Sequence, residues 1–269
     1  MRFLSLLVAC SAVVWGQNDP VRGRQIVDEA VAALGGDAFL RMQDRVEQGR
    51  GYSFYRERLS GLSRTTIYTR YLTRPEPPPT GYIGQRERQA FGKNQDVYIV
   101  FNEMGGHEIT FRGAKPLPPD TMERWQESLR HNIFHTLRSR MGEPGLVFEF
   151  VRTDIHDNAA VNVVDVVDND GRVTTVYFEH LSKLPVRQSW FRRDSRSRQK
   201  IEEITVFAKF RDVGGGVHWP FVVRRERAGE KIFEMFADDV KINQGLTDEL
   251  FTLPGNVKVL DPATKSRRR

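Results

Sequence analysis

The sequence predicts a mainly β chain of the α+β class, built on one large, curved antiparallel sheet of about ten or eleven strands with two helices. Three observations carry this. Runs rich in β-branched and aromatic residues, separated by turn material, fill most of the chain. Helical periodicity occurs in only two stretches, one before the sheet and one interrupting it. No helix alternates regularly with strands, which argues against a parallel α/β sheet.

The chain opens on MRFLSLLVACSAVVWG. Arg2 is a minimal charged n-region, and Phe3 to Val14 is an apolar run too short for a membrane span of about 20 residues. Val14 and Gly16 put small residues at the −3 and −1 positions of a cleavage site. A signal peptide over 1–16 is expected, with a mature protein beginning near Gln17 and working in the periplasm. Leu7-Val8-Ala9-Cys10 also resembles a lipobox, so lipid anchoring through Cys10 is the alternative. Cys10 is the only cysteine of the 269 residues, so cleavage after Gly16 excludes disulfides and thiol chemistry.

Past the leader, Val27, Ala30, Val31 and Leu34 fall on one helical stripe, and Gly35-Gly36 stops it. A short turn, Asp37 to Met42, follows. From Arg45 to Arg112 the pattern is strand-like, clearest in Thr65 to Leu72, Gln95 to Phe101 and His107 to Phe111. Pro75-Glu-Pro-Pro-Pro-Thr80 reads as a loop. Pro116 to Met141 is expected as one long helix, because Met122, Trp125, Leu129, Ile133, Leu137 and Met141 recur every three or four residues. Strands follow at 146–151, 161–167, 173–178, 185–193, 201–210, 219–223 and 232–242, with Asp168-Asn-Asp-Gly171 as a hairpin turn. Residues 17–256 are expected to form a single domain. Residues 257–269, ending in Lys265-Ser-Arg-Arg-Arg269, read as a basic, disordered tail.

Charge restricts the partners. The formal net charge is +6. Arg45, Arg50, Arg56, Arg58, Arg64, Arg70, Arg74, Arg86 and Arg88 crowd one region. They read either as outward strand positions or as an electropositive face that meets anionic lipid headgroups or an acidic envelope partner. No nucleic-acid signature accompanies them.

No GxSxG elbow, Walker loop, GxGxxG fingerprint, HExxH or EF-hand loop is present. His131 and His135 stand one helical turn apart, a spacing compatible with a metal, but no third ligand lies at a standard offset. The chain is therefore read as a non-enzymatic protein without metal or cofactor. Its abundant material is apolar: Tyr98, Phe101, Phe148, Trp190 and Phe207 on strands, and Trp125, Leu129, Ile133, Phe134 and Leu137 on the internal helix. These are the candidate lining of a ligand cavity, since a curled sheet of about eight or more strands leaves room for a ligand.

Val27-Asp-Glu-Ala-Val-Ala-Ala-Leu-Gly-Gly36 and the ending Val240-Lys-Ile-Asn-Gln-Gly-Leu-Thr-Asp-Glu-Leu-Phe-Thr-Leu-Pro254 resemble the outer-membrane lipoprotein carrier superfamily, LolA- and LolB-like. Leu184-Pro-Val-Arg-Gln188 and Gly216-Val-His-Trp-Pro-Phe221 match hairpin pieces of the same pattern. The resemblance spans roughly 21 to 256. It implies an incomplete barrel, half-open and strongly curved, with helices as a lid over a hydrophobic cavity on the concave face. It also implies binding of lipoprotein acyl chains or other lipids in the envelope, by a monomer. A sensor or scaffold of the same fold that binds another envelope protein is the alternative. The chain departs from dedicated carriers in length, in the Pro75 to Thr80 loop and in arginine content.

Overall fold

A computed structural model describes residues 19–76, 82–194 and 198–261. The expected leader with Cys10, most of the proline loop and the end of the basic tail lie outside the described residues. Among the described residues no helix is long and apolar enough to cross a membrane.

Helix α1 (Pro20–Ala33) starts at Asp19, whose side chain accepts from the Arg22 N–H at 2.9 Å, and Pro20 sits where a missing N–H costs nothing. A short α2 (Asp37–Leu40) follows. Six strands then run outward: β1 (Asp44–Tyr55), β2 (Arg58–Tyr71), β3 (Gln85–Phe91), β4 (Val97–Asn102), β5 (Gly105–Thr110) and β6 (Gly113–Pro116). The chain crosses to the far edge through α3 (Pro119–Arg130), α4 (Ile133–His135) and a π-helical turn (Thr136–Arg140). It returns through β7 (Val147–His156), β8 (Ala159–Val167), β9 (Val173–Glu179), β10 (Pro185–Arg193), β11 (Lys200–Asp212), β12 (His218–Arg227) and β13 (Glu230–Ile242).

The result is one 13-stranded sheet ordered β6-β5-β4-β3-β2-β1-β13-β12-β11-β10-β9-β8-β7, antiparallel throughout and not closed into a barrel. Its midline joins the first strand to the last: Arg45 faces Ile242 and Ser53 faces Phe233. Both edges are occupied. Asp19 exchanges two backbone hydrogen bonds with Phe150 on β7, and Ala114 on β6 bonds to Lys258 and Leu260. Three hairpins turn on two residues with positive φ (Arg56 and Glu57, Asp157 and Asn158, Ala228 and Gly229), as the strand twist demands.

The expected single long helix is two pieces. Asn132 is extended, and its side chain accepts the His135 N–H at 3.1 Å as an N-cap. The break has a clear cause, since a side chain that caps a new turn competes with continuing the old one. Residues 117–146 therefore form a bent strap across the inner face.

That strap measures the curvature. Trp125 stacks on Phe101 of β4 at 4.5 Å, and His131 stacks on Trp190 of β10 at 4.1 Å. These strands are seven places apart in the sheet, about 34 Å if it were flat. Six helical residues rise only about 9 Å. The sheet must curl strongly around the strap.

The main core joins α1 (Ile26, Val27, Ala30), Leu34, Phe39, the strap (Ile133, Phe134, Leu137) and strands β7 to β9 and β11 to β13. Helix α1 lies so close to β7 that a Cβ on Gly23 would stand 2.3 Å from the Phe148 carbonyl oxygen. A smaller cluster (Val100, Ile109, Ala114, Phe251) is covered by the closing segment 246–257.

Candidate ligand-binding site

The strap brings most of the expected cavity residues together, as packed side chains. Phe134 meets Phe207 edge-on at 4.8 Å and Trp219 at 4.7 Å. The Ile133 N–H donates to the Gln188 Oε1 at 2.9 Å, which satisfies a donor the broken helix leaves free. Leu137 is fully buried. Phe148 packs beneath α1 in the same core. Tyr98 stands apart: it flanks the second cluster with Arg88 over its ring at 3.7 Å. Leu129, at the strap's margin, is buried and also borders the large cavity described below.

His131 and His135 do not converge. The His131 ring lies on Trp190 and its Nδ1 meets the Thr174 Oγ1 at 2.6 Å. His135 turns elsewhere, near the backbone of Ile83, and its Nδ1 has no partner. Burial, with Arg140 and Arg138 nearby, pushes its pKa down to about 3.

The inner face has two characters. Over β7 to β13 it is aromatic and aliphatic. Over β1 to β3 it carries a buried polar network. Arg45 pairs with Glu47 at 2.5 Å, donates to Tyr71 Oη and to Thr69 Oγ1, and lies over Trp219 at 4.0 Å. Arg45 is thus an inward arginine, unlike exposed Arg50, Arg56, Arg58 and Arg64. Burial raises the Glu87 carboxyl above its usual range, against the pull of Gln89, Arg225 and Arg45. Asp44, also buried, accepts three consecutive backbone N–H groups, from Gln244, Gly245 and Leu246, at 2.7, 2.9 and 3.0 Å. Neither Asp44 nor Arg45 carries a sequence signal, because a polar side chain on a strand reads as outward by default.

The large cavity, about 1210 Å³, lies beside the strap. Its walls are the end of β2 with the following residues, residues 82–84, the strap from Leu129 to Pro144, the β8–β9 turn and residues 245–248. Arginines dominate it. Arg138, half-buried, donates Nε to the Met42 carbonyl at 2.9 Å and lies over the Tyr71 ring at 4.2 Å. Burial lowers its pKa, with Tyr71 opposing. The sequence pattern contains Arg138 only as the polar side of a helix, so its inward turn was not legible.

No family model matches the sequence, and no curated protein does. Solved structures do. A domain described as an outer membrane lipoprotein-sorting protein from Vibrio parahaemolyticus superposes with a TM-score of 0.55 at 11% identity, covering 87% of this chain and 97% of its own. The chain has the LolA-like fold. A DUF1329 family protein from Desulfovibrio piger gives the same TM-score of 0.55 at 12% identity, over 87% of this chain and 98% of its own. A LolA superfamily protein from Nitrosomonas europaea covers 86% of this chain and 97% of its own at 13% identity, with a TM-score of 0.45. In this chain the LolA-like sheet is thus combined with a buried polar network over β1 to β3.

Proposed function

We propose that the chain is an extracytoplasmic, non-enzymatic binding or carrier protein for lipoprotein acyl chains or other lipids. The observation that carries this reading is the strap. It presents Trp125, Ile133, Phe134 and Leu137 to an open sheet that already offers Phe101, Trp190 and Phe207. Lifting it would uncover an apolar trough over the β7 to β13 side of the sheet, at the cost of the strap's own apolar burial and a few hydrogen bonds. Each acyl methylene buried there contributes about 0.8 kcal/mol, so one chain can replace the strap's own side chains. The capped break at Asn132 and the π-helical turn at Thr136–Arg140 are the points at which such a strap bends. The resemblance of its fold to a lipoprotein-sorting domain supports the same assignment. On this reading 1–16 is a leader, 17–256 a single binding domain, and the site of action the periplasm.

The test is the cargo. Native mass spectrometry of protein purified from a bacterial envelope should show a co-purifying acyl chain, and delipidated protein should take up a fluorescent fatty acid. Protein that carries no lipid and refuses the probe would leave the fold as a scaffold that binds another envelope protein.

A further inference from the structure

The cavity beside the strap is cationic in a way its ion pairs do not cancel. Six arginines line it: Arg70, Arg74, Arg130, Arg138, Arg140 and Arg172. Its carboxylates are already engaged. Asp44 is held by three backbone N–H groups. Asp168 accepts two backbone N–H groups and pairs with Arg140 and Arg172, Asp170 pairs with Arg172, and Glu143 pairs with Arg74 and Arg140. Asp248 is shared by Arg70 and Arg86. Arg138 is different. Its guanidinium meets the Met42 carbonyl, the Ser139 hydroxyl and the Tyr71 ring, and no carboxylate among the described residues lies within ion-pair distance. Arg130 has only Glu127, at 3.8 Å. A half-buried guanidinium without a counter-ion is a poor arrangement in itself, and it is relieved by an anion.

The walls also hold Leu72, Ile83, Leu129, Leu246 and two tyrosines, Tyr71 and Tyr82. A space of about 1210 Å³ far exceeds one phosphate group and leaves room for an apolar body attached to it. His135 borders the same space, buried, with its Nδ1 unpartnered. In the neutral ring this nitrogen is an acceptor, suited to a ligand hydroxyl.

We infer that this cavity binds the phosphate of an anionic amphiphile, with Arg138 and Arg130 as its principal contacts. The inference deepens the carrier reading and rests on it for the apolar half of the ligand alone.

Calorimetric titration of the full chain with dihexanoyl phosphatidylglycerol, dihexanoyl phosphatidylcholine and inorganic phosphate, below micelle concentrations, tests it. Phosphatidylglycerol should bind about tenfold or more tighter than phosphatidylcholine, and phosphate should compete. Arg138→Gln and Arg130→Gln should each remove most of that preference. Arg130→Gln leaves the Met42 contact intact, so it reports on binding even if Arg138→Gln melts early. Phosphate binding without either lipid supports the anion site with free phosphate as its source, and ends the acyl-chain reading. Equal affinity for the two lipids, unchanged in both variants, overturns the anion site and leaves the carrier reading standing. No binding of any probe overturns both.

Discussion

Phe134→Ala probes the strap most directly. The ring is 4% exposed and wedged between Phe207, Trp219 and Phe210 at centroid distances of 4.8, 4.7 and 6.3 Å. A buried phenylalanine removes about 200 Å² from water, worth about 5 kcal/mol at about 25 cal/mol per Å². Partial collapse recovers some of this, so a loss of about 3–5 kcal/mol is expected. For a chain of this size each kcal/mol moves Tm by about 2–4 °C, giving a drop of about 6–20 °C. The same variant should take up a fluorescent fatty acid faster than wild type, because the removed ring holds the strap against the trough. Differential scanning fluorimetry and stopped-flow uptake give the two numbers. A Tm within about 2 °C of wild type would refute the reasoning: the strap would then not be docked in solution. A lowered Tm with slower uptake would make the segment an ordinary core element.

Other expectations follow from the same packing. Gly23→Ala forces a methyl to within 2.3 Å of the Phe148 carbonyl oxygen, a backbone atom that cannot turn away, and should cost about 1–3 kcal/mol in urea titrations. Asp44→Ala orphans three backbone N–H groups together and should cost about 2–4 kcal/mol by the same measurement, with Asp44→Asn milder. His135, with a pKa near 3 against about 6.5 unfolded, takes up its proton only on unfolding. Its stabilising share is complete above about pH 6.5 and is lost as pH falls from there toward 3, by up to about 1.4 kcal/mol per pH unit. His135→Phe should flatten the urea midpoint between pH 6.5 and 4.5 relative to wild type, and parallel slopes for the two proteins would count against the buried neutral ring.

The second half of the sheet was readable from sequence because its strands are rich in β-branched and aromatic residues between clear turns. Val161 to Val167 and Val173 to Phe178 are such runs, and the structure has strands there, with β8 buried on both faces. The first half was harder. Strands β1 and β3 read Asp-Arg-Val-Glu-Gln-Gly-Arg and Gln-Arg-Glu-Arg-Gln, polar on both faces, so no periodic signal separates them from loop. Arg45 and Glu47 pair two positions apart within β1, and Arg45 also donates to Tyr71 and Thr69 of β2, a meeting that β1 alone does not record. The strap's apolar period was plain, but the Asn132 cap was not, since an asparagine in the middle of a strong period is ordinarily outvoted. The cationic cavity was the least legible feature. It joins Arg70 to Arg138 and Arg172, residues on three separate elements, and nothing local in the sequence marks that meeting.

The seam between β1 and β13 bears on how the molecule comes into being. Gln43 bonds to Asn243, 200 positions away, and the whole midline is sewn by pairs of similar separation. Each arm can zip from its own hairpins, since every other strand pairs with a neighbour in sequence. The seam cannot. A chain delivered N-terminus first holds β1 with one side open until residue 242 is free. Completion of the sheet is thereby kept for the end: its two halves are joined only once the last strand arrives.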